Sequence, residues 1–354
     1  MPTGKLVFAA GNFGDFDIFL YDLDSNKLTQ LTSDESWNDY PRFSPDARQI
    51  AYATTRSGKQ EIWLMNQDGS DARSITPGLK WADFPTWSPS GKEIAFVSNH
   101  YFQVDILSVH LETGELKRLT SSPGFDSYPD WSPDGRHIAF CSERGRNQDI
   151  NLLDIHTLDE GRIATHPGPD TSPAFSPNGK EIAFVSQRPD EKKGLRFMQS
   201  YWDFFYGDEH LDIWVVELDT GKLRQLTTNR GVDRNVRWSP DGKYLAYTSS
   251  AVDRSDGRIM ICEFETGKTV PLQFDQSIVK RELERPFLAH LHDPVPHGQV
   301  TQGKIDEILE KLGQKMLPML EGAEPGFVKT ILERYQQWEV DRIFPIAARY
   351  LDWK

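Results

Sequence analysis

One short phrase recurs five times along the chain and limits what it can fold into. "RFSPDARQIAYAT" at 42–54 returns as "TWSPSGKEIAFVS" at 86–98, "DWSPDGRHIAFCS" at 130–142, "AFSPNGKEIAFVS" at 174–186 and "RWSPDGKYLAYTS" at 237–249. The motif serines are Ser44, Ser88, Ser132, Ser176 and Ser239, spaced by 44, 44, 44 and 63 residues. A period near 44 with four short strand signals per unit predicts a β-propeller. Within each unit an aromatic-Ser-Pro strand leads to a tight turn, where proline fixes φ and glycine accepts φ > 0. A strand such as "EIAFVS" follows, then one such as "EIWLMN", and a "DGS" or "TGK" turn leads to a short outer strand.

The N-terminus supplies "KLVFAAG", "DIFLYDLD" and "LTQLT", the second, third and fourth strands of a further unit. Its missing first strand is expected from the far end of the chain, with "SIVKREL" or "RPFLAHL" at 277–291 as candidates. The expectation is therefore an all-β, six-bladed propeller over residues 1–290. Its blades fall at 5–32, 37–76, 81–120, 125–165, 168–228 and 231–273. A helical extension is expected over 291–354, because Ile305, Ile308, Leu309, Leu312, Met316 and Leu320 form one stripe and Phe327, Ile331, Leu332, Tyr335 and Trp338 a second.

These units resemble the propeller repeats of the TolB-like family and the propeller domains of the prolyl oligopeptidase family. The resemblance covers roughly residues 1–273 and rests on the recurring aromatic-Ser-Pro-Asp-Gly…Ile-Ala-Phe pattern. It implies a fold and leaves the activity open, because one propeller hosts many functions. Neither the small α/β domain of TolB nor the G-x-S-x-G elbow of the peptidases is read in the sequence, and peptidase chemistry is not expected.

The 354 residues carry a formal net charge of −13. An acidic surface repels phosphate, so neither nucleic acid nor an anionic membrane is an expected partner. No basic and apolar leader is read at the start of the sequence, so a cytoplasmic location is expected, or a periplasmic one if an export signal was removed. Cys141 and Cys262 each lie in an apolar run and read as small buried thiols.

Residues shared by every unit read as blade-building, and residues peculiar to one unit as functional candidates. The acidic residues that open the third strands, Asp17, Glu61, Asp105, Asp149 and Asp212, belong to the first group, as partners for loop hydrogen bonds or for arginines such as Arg56 and Arg144. The 63-residue spacing holds nineteen extra residues, on the face called upper here, which carries the blade-to-blade and second-to-third-strand loops. This insertion, 189–210, is dense in aromatics, with Tyr201, Trp202, Phe204 and Phe205 at its centre. It reads either as a lid packed on itself or as a recognition lip. His100, Tyr101, Phe102, Arg144 and Arg146 fall in loops of the same face.

Asp39, Asp83, Asp126, Asp170 and Asp233 are expected around the channel mouth, where they either cap strand ends or hold a divalent cation. His290, His292 and His297 form a further possible metal set within a Pro-containing linker. No nucleophile–base–orienter set is legible, and no cofactor is otherwise expected. The functional expectation is non-catalytic recognition of a protein or peptide by the upper face and the 189–210 insertion. The alternative is a metal-assisted lyase or hydrolase acting on a sugar or lactone at the channel mouth. The sequence does not set the oligomeric state.

Overall fold

The computed structural model describes residues 3–12, 15–34, 36–101, 103–144, 147–164, 166, 168–187, 211–228, 231–251, 258–273 and 347–353. They form six four-stranded antiparallel sheets. Blade one holds β1 (Lys5–Asn12), β2 (Asp15–Asp22) and β3 (Lys27–Gln30). Blade two holds β4 (Asn38–Phe43), β5 (Gln49–Thr54), β6 (Glu61–Asn66) and β7 (Arg73–Ser74). Blade three holds β8 (Ala82–Trp87), β9 (Glu93–Ser98), β10 (Asp105–His110) and β11 (Leu116–Arg118). Blade four holds β12 (Phe125–Trp131), β13 (His137–Glu143), β14 (Gln148–Asp154) and β15 (Glu160–Ala164). Blade five holds β16 (Asp170–Phe175), β17 (Glu181–Ser186), β18 (Asp212–Glu217) and β19 (Leu223–Gln225). Blade six holds β20 (Gly231–Trp238), β21 (Tyr244–Ala251), β22 (Arg258–Glu263) and β23 (Thr269–Pro271).

The strand that completes blade one is β24 (Ala347–Trp353), antiparallel to β1 with Leu6 opposite Trp353 and Gly11 opposite Ala347. This corrects the expected closure at 277–291. It also takes the last residues of the stretch expected to be helical into the sheet. The signal was present: "RYLDW" at 349–353 matches "SYPDW" at 127–131, without the Pro and without the Ser-Pro turn that identifies the other first strands. The match extends to the bulge. β24 inserts one extra residue against Phe8 and Ala9 of β1, as β12 inserts one against β13. The rest of the expected helical extension, and the 277–291 candidates, lie outside the described residues. Those residues contain no helix.

Each sheet is packed on both sides, which is why the strands read as apolar runs. In blade one, Leu6, Phe8, Phe19 and Tyr21 pack with Ile259 and Ile261 of blade six, while Val7, Ala9 and Ile18 pack with Ile50 and Tyr52 of blade two. The blades are also tied by polar bonds. Trp87 Nε1 donates to the carbonyl of Arg42 and Trp238 Nε1 to that of Ala174, each across a blade boundary at 3.1 Å.

The Ser-Pro-Asp-Gly turns form the lower face. In blade four, Ser132 Oγ donates to Asp134 Oδ1 at 2.6 Å and accepts from the backbone N–H of His137 at 2.9 Å. The Ser132 hydroxyl holds the Asp134 carboxyl below the usual range. Gly135 sits at φ +73°, and a Cβ there would meet Pro89 of the preceding blade at 3.8 Å. Gly91, Gly179 and Gly242 stand likewise against Pro45, Pro133 and Pro177. The repeated motif is thus turn chemistry, as expected.

Candidate functional site

The third strands of blades one, two, three and five begin on a common device. A threonine at the end of the outer strand accepts the first free N–H: Thr32 from Ile18, Thr76 from Ile62, Thr120 from Ile106 and Thr227 from Ile213, at 2.9–3.0 Å. The acidic residue just before that N–H is held in the same place. Asp17 accepts from Gln30 and Thr32, and Asp212 from Gln225 and Thr227. Glu61 accepts from Trp63 Nε1 at 3.3 Å. Asp105 pairs with Arg118 at 2.7 Å and Asp149 with Arg162 at 3.2 Å. The expected structural role holds, with a correction of partners. Arg56 pairs with Asp34, and Arg144 with Glu160. Apart from Trp63, which shares β6 with Glu61, the partners come from the outer strand of the same blade or the residues just after it, because that strand ends beside the start of the third.

The channel-mouth aspartates are all buried, yet they do not form one ring. Asp39 and Asp83 lie five residues before their motif serines, whereas Asp126, Asp170 and Asp233 lie six before theirs. A shift of one residue along a strand changes the direction of the side chain. Asp39 accepts from the backbone N–H of Tyr40 and from Trp37 Nε1, and Asp83 from the N–H of Phe84 and from Gln60 Nε2. Burial, with the charge of Asp39 added, holds the Asp83 carboxyl well above the usual range. Asp126 instead accepts from Ser142 Oγ at 2.5 Å, as Asn38 does from Thr54 Oγ1 at 2.7 Å in blade two. Burial raises Asp126 to about 6 and, with the Asp233 charge, Asp212 to about 7. Among the described residues no group of three or more His, Cys, Asp or Glu side chains is placed to hold a metal ion. His290, His292 and His297 lie outside them.

Below these aspartates lies a feature the sequence reading did not single out. Tyr40, Phe84 and Tyr128 each occupy the bulge of an innermost strand at φ 51–53°. Their rings touch in sequence round the channel, Tyr40 on Phe84 at 4.1 Å and Phe84 on Tyr128 at 4.3 Å between centroids. Ser172 and Asn235 stand at the same place in blades five and six, also at positive φ. The channel is therefore aromatic along blades two to four and polar along blades five and six. The aromatic before each motif proline in "DYP", "DFP" and "SYP" was the available signal.

Of the loop residues, Tyr101 is 41% exposed and packs edge-on to His100 at 4.8 Å. The Arg118 guanidinium lies over its ring at 5.1 Å, and that guanidinium is anchored by buried Asp105 and by Gln103. Arg144, bonded to Glu160, lies in the equivalent loop of blade four. Both pairs lean on outer strands β11 and β15, so they stand toward the rim and away from the channel mouth. Phe102, Arg146, Tyr201, Trp202, Phe204 and Phe205 lie outside the described residues. The strand residues that flank the 189–210 insertion, Ser186 of β17 and Asp212 of β18, are paired with each other. Cys141 and Cys262 are buried free thiols.

Residues 64–193 match the family model of the TolB beta propeller domain. No curated protein matches the chain in sequence. Among solved structures the chain is similar to TolB from Acinetobacter baumannii, at 22% identity and a TM-score of 0.63 over 77% of this chain and 64% of that one. It is similar to a putative TolB from Agrobacterium tumefaciens, at 19% identity and 0.60 over 77% and 90%. It is also similar to an oligogalacturonate lyase in complex with manganese, at 17% identity and 0.51 over 75% and 73%. The chain thus spans just under two thirds of the length of the Acinetobacter protein. At these identities the likeness is one of fold, and it agrees with the repeats: the described residues form a six-bladed β-propeller, of which residues 64–193 match the TolB beta propeller model.

Proposed function

We propose that the propeller is a non-catalytic recognition module that binds a protein or peptide through its upper face. The observation that carries this reading is Tyr101, an exposed aromatic held rigid by Arg118, which is itself fixed by buried Asp105. A preorganised aromatic beside a guanidinium loses little entropy on binding, and such pairs dominate recognition surfaces. The upper-face loops also vary from blade to blade, while the channel-mouth carboxylates with assigned partners, Asp39, Asp83 and Asp126, serve to hold the strands. The insertion 189–210 belongs to the same proposal, because it leaves and rejoins the sheet at the upper ends of β17 and β18. The enzyme alternative draws on the fold shared with the manganese-bound lyase.

The test is selection of peptides from a displayed random library against the immobilised full-length protein, followed by affinity measurement. Tyr101→Ala and Trp202→Ala should each weaken the selected peptides by about 2 kcal/mol. Lys92→Ala, in a lower-face turn, should leave them unchanged. Peptides insensitive to both upper-face changes, or manganese-dependent cleavage of oligogalacturonate by the purified protein, would overturn the reading.

A further inference from the structure

The repeats make it possible to see a carboxylate that one blade supplies and the next omits. In blade four, Asp130 stands two residues before the motif serine, and its Oδ2 accepts from the backbone N–H of Phe175 on β16, the innermost strand of the next blade, at 2.8 Å. In blade five the same position holds Ala174. The residue facing it in blade six is Trp238, which sits opposite Leu245 in β20–β21 as Phe175 sits opposite Ile182 in β16–β17. By that shared register the N–H of Trp238 points to the channel side, where the N–H of Phe175 points. No side chain from position 174 reaches it.

A guanidinium lies beside the omission. Arg237 is only 8% exposed. Its Nη1 donates to the carbonyl of Val236 at 2.8 Å and to that of Pro173 in blade five at 3.5 Å. Its buried Nε has no hydrogen-bond partner. Among the described residues no carboxylate stands within ion-pair distance of it. A buried cation without a counter-ion is costly, and the guanidinium edge formed by Nε and Nη2 matches the two oxygens of a carboxylate. Neither sign depends on the other: one is a missing side chain, the other a buried guanidinium with no ion pair among the described residues.

We infer that the channel wall between blades five and six is a carboxylate-binding site, in which the Trp238 N–H and the Nε/Nη2 edge of Arg237 receive a carboxylate of the ligand in the place that Asp130 fills internally one blade earlier. The ligand is a carboxylate-bearing molecule or chain end entering the channel. The aromatic arc of Tyr40, Phe84 and Tyr128 lies along the other side of that channel and gives it an apolar wall. The site stands apart from the Tyr101 surface, so the two proposals fail separately.

The probe is acetate, compared with chloride at equal ionic strength, read by thermal melting and by titration calorimetry of the full-length protein. Acetate should raise the melting temperature of the unaltered protein in a saturable way. Arg237→Gln should weaken the apparent affinity for acetate by at least about tenfold, the loss expected for a charged bidentate hydrogen bond. Ala174→Asp should melt higher without acetate and lose the response, because it supplies the carboxylate from within. If that variant does not fold, Arg237→Lys decides, since lysine keeps the charge without the fork and should still bind acetate several-fold more weakly. The same melting curves in acetate and chloride, or an unchanged acetate response in Arg237→Gln, overturn the inference.

Discussion

The lower turns of this propeller are nearly the same in blades two to six, and the described upper-face contacts differ between blades two, three and four. Below, Ser132, Asp134 and Gly135 are repeated as Ser239, Asp241 and Gly242, with the same hydrogen bonds and the same proline from the preceding blade beside the glycine. Above, blade two carries Arg56 on Asp34 near Trp63, blade three Tyr101 on Arg118, and blade four Arg144 on Glu160. What repeats is what a blade needs in order to close its turns and seat against its neighbour. What does not repeat is left to selection for something other than the fold, which is why the upper face and the blade five–six wall are where binding is proposed.

The largest effect should come from the one strand that is far from its sheet in sequence. A chain ending before Ala347 lacks β24, leaves the hydrogen-bonding edge of β1 open and breaks the ring between blades six and one. It should lose about 10 °C or more in melting temperature, or aggregate, as read by calorimetry and light scattering. An unaltered melt would mean that the ring does not need this strand.

A lower-face change comes next. Gly135→Val places a β-branched residue at φ +73° and should cost about 1–3 kcal/mol in denaturant unfolding. The affinity of any upper-face ligand for the folded fraction should not change. A loss of affinity without loss of stability would erase the distinction between the faces.

Asp212 provides a smaller effect with a pH signature. Its folded carboxyl titrates at about 7 because it is buried near Asp233, whereas an unfolded aspartate titrates near 3.9. Between those values the folded state binds more protons, so this group makes stability fall as pH rises from about 4 to about 7. Asp212→Asn should flatten that slope and stabilise the protein by about 1–2 kcal/mol at pH 8, less whatever the Gln225 and Thr227 bonds lose. Urea unfolding at pH 5 and pH 8 distinguishes this from a purely steric change.

Tyr101→Ala should be the smallest change to the fold, under about 0.5 kcal/mol, because the residue is 41% exposed and lies in a surface loop. Unfolding that shows a loss above about 2 kcal/mol would make Tyr101 a packing residue and remove it from the recognition surface.

The fold was legible because its period is carried by residues with strict backbone needs, such as Gly135 at positive φ and the proline ahead of it. β24 was not, because "RYLDW" keeps the aromatic and aspartate of a first strand and drops the proline and the turn. The candidate site was legible only by contrast between blades. Tyr101 stood out as peculiar to its loop. The two settings of the channel-mouth aspartates were not legible, because the one-residue offset between Asp83 and Asp126 shows only when the motif serines are used as the origin. Arg237 passed unnoticed because its meaning lies in Ala174, a small residue that only Asp130 in the neighbouring blade makes conspicuous.

The repeated face is scaffold, and the variable face is the one proposed to bind. Hydrogen exchange of the full-length protein, with and without a saturating selected peptide, tests it most directly. The account predicts added protection in the upper loops at 55–60, 99–104 and 143–149, and no change in the lower turns at 45–48, 89–92 and 133–136. Protection confined to those lower turns would contradict it.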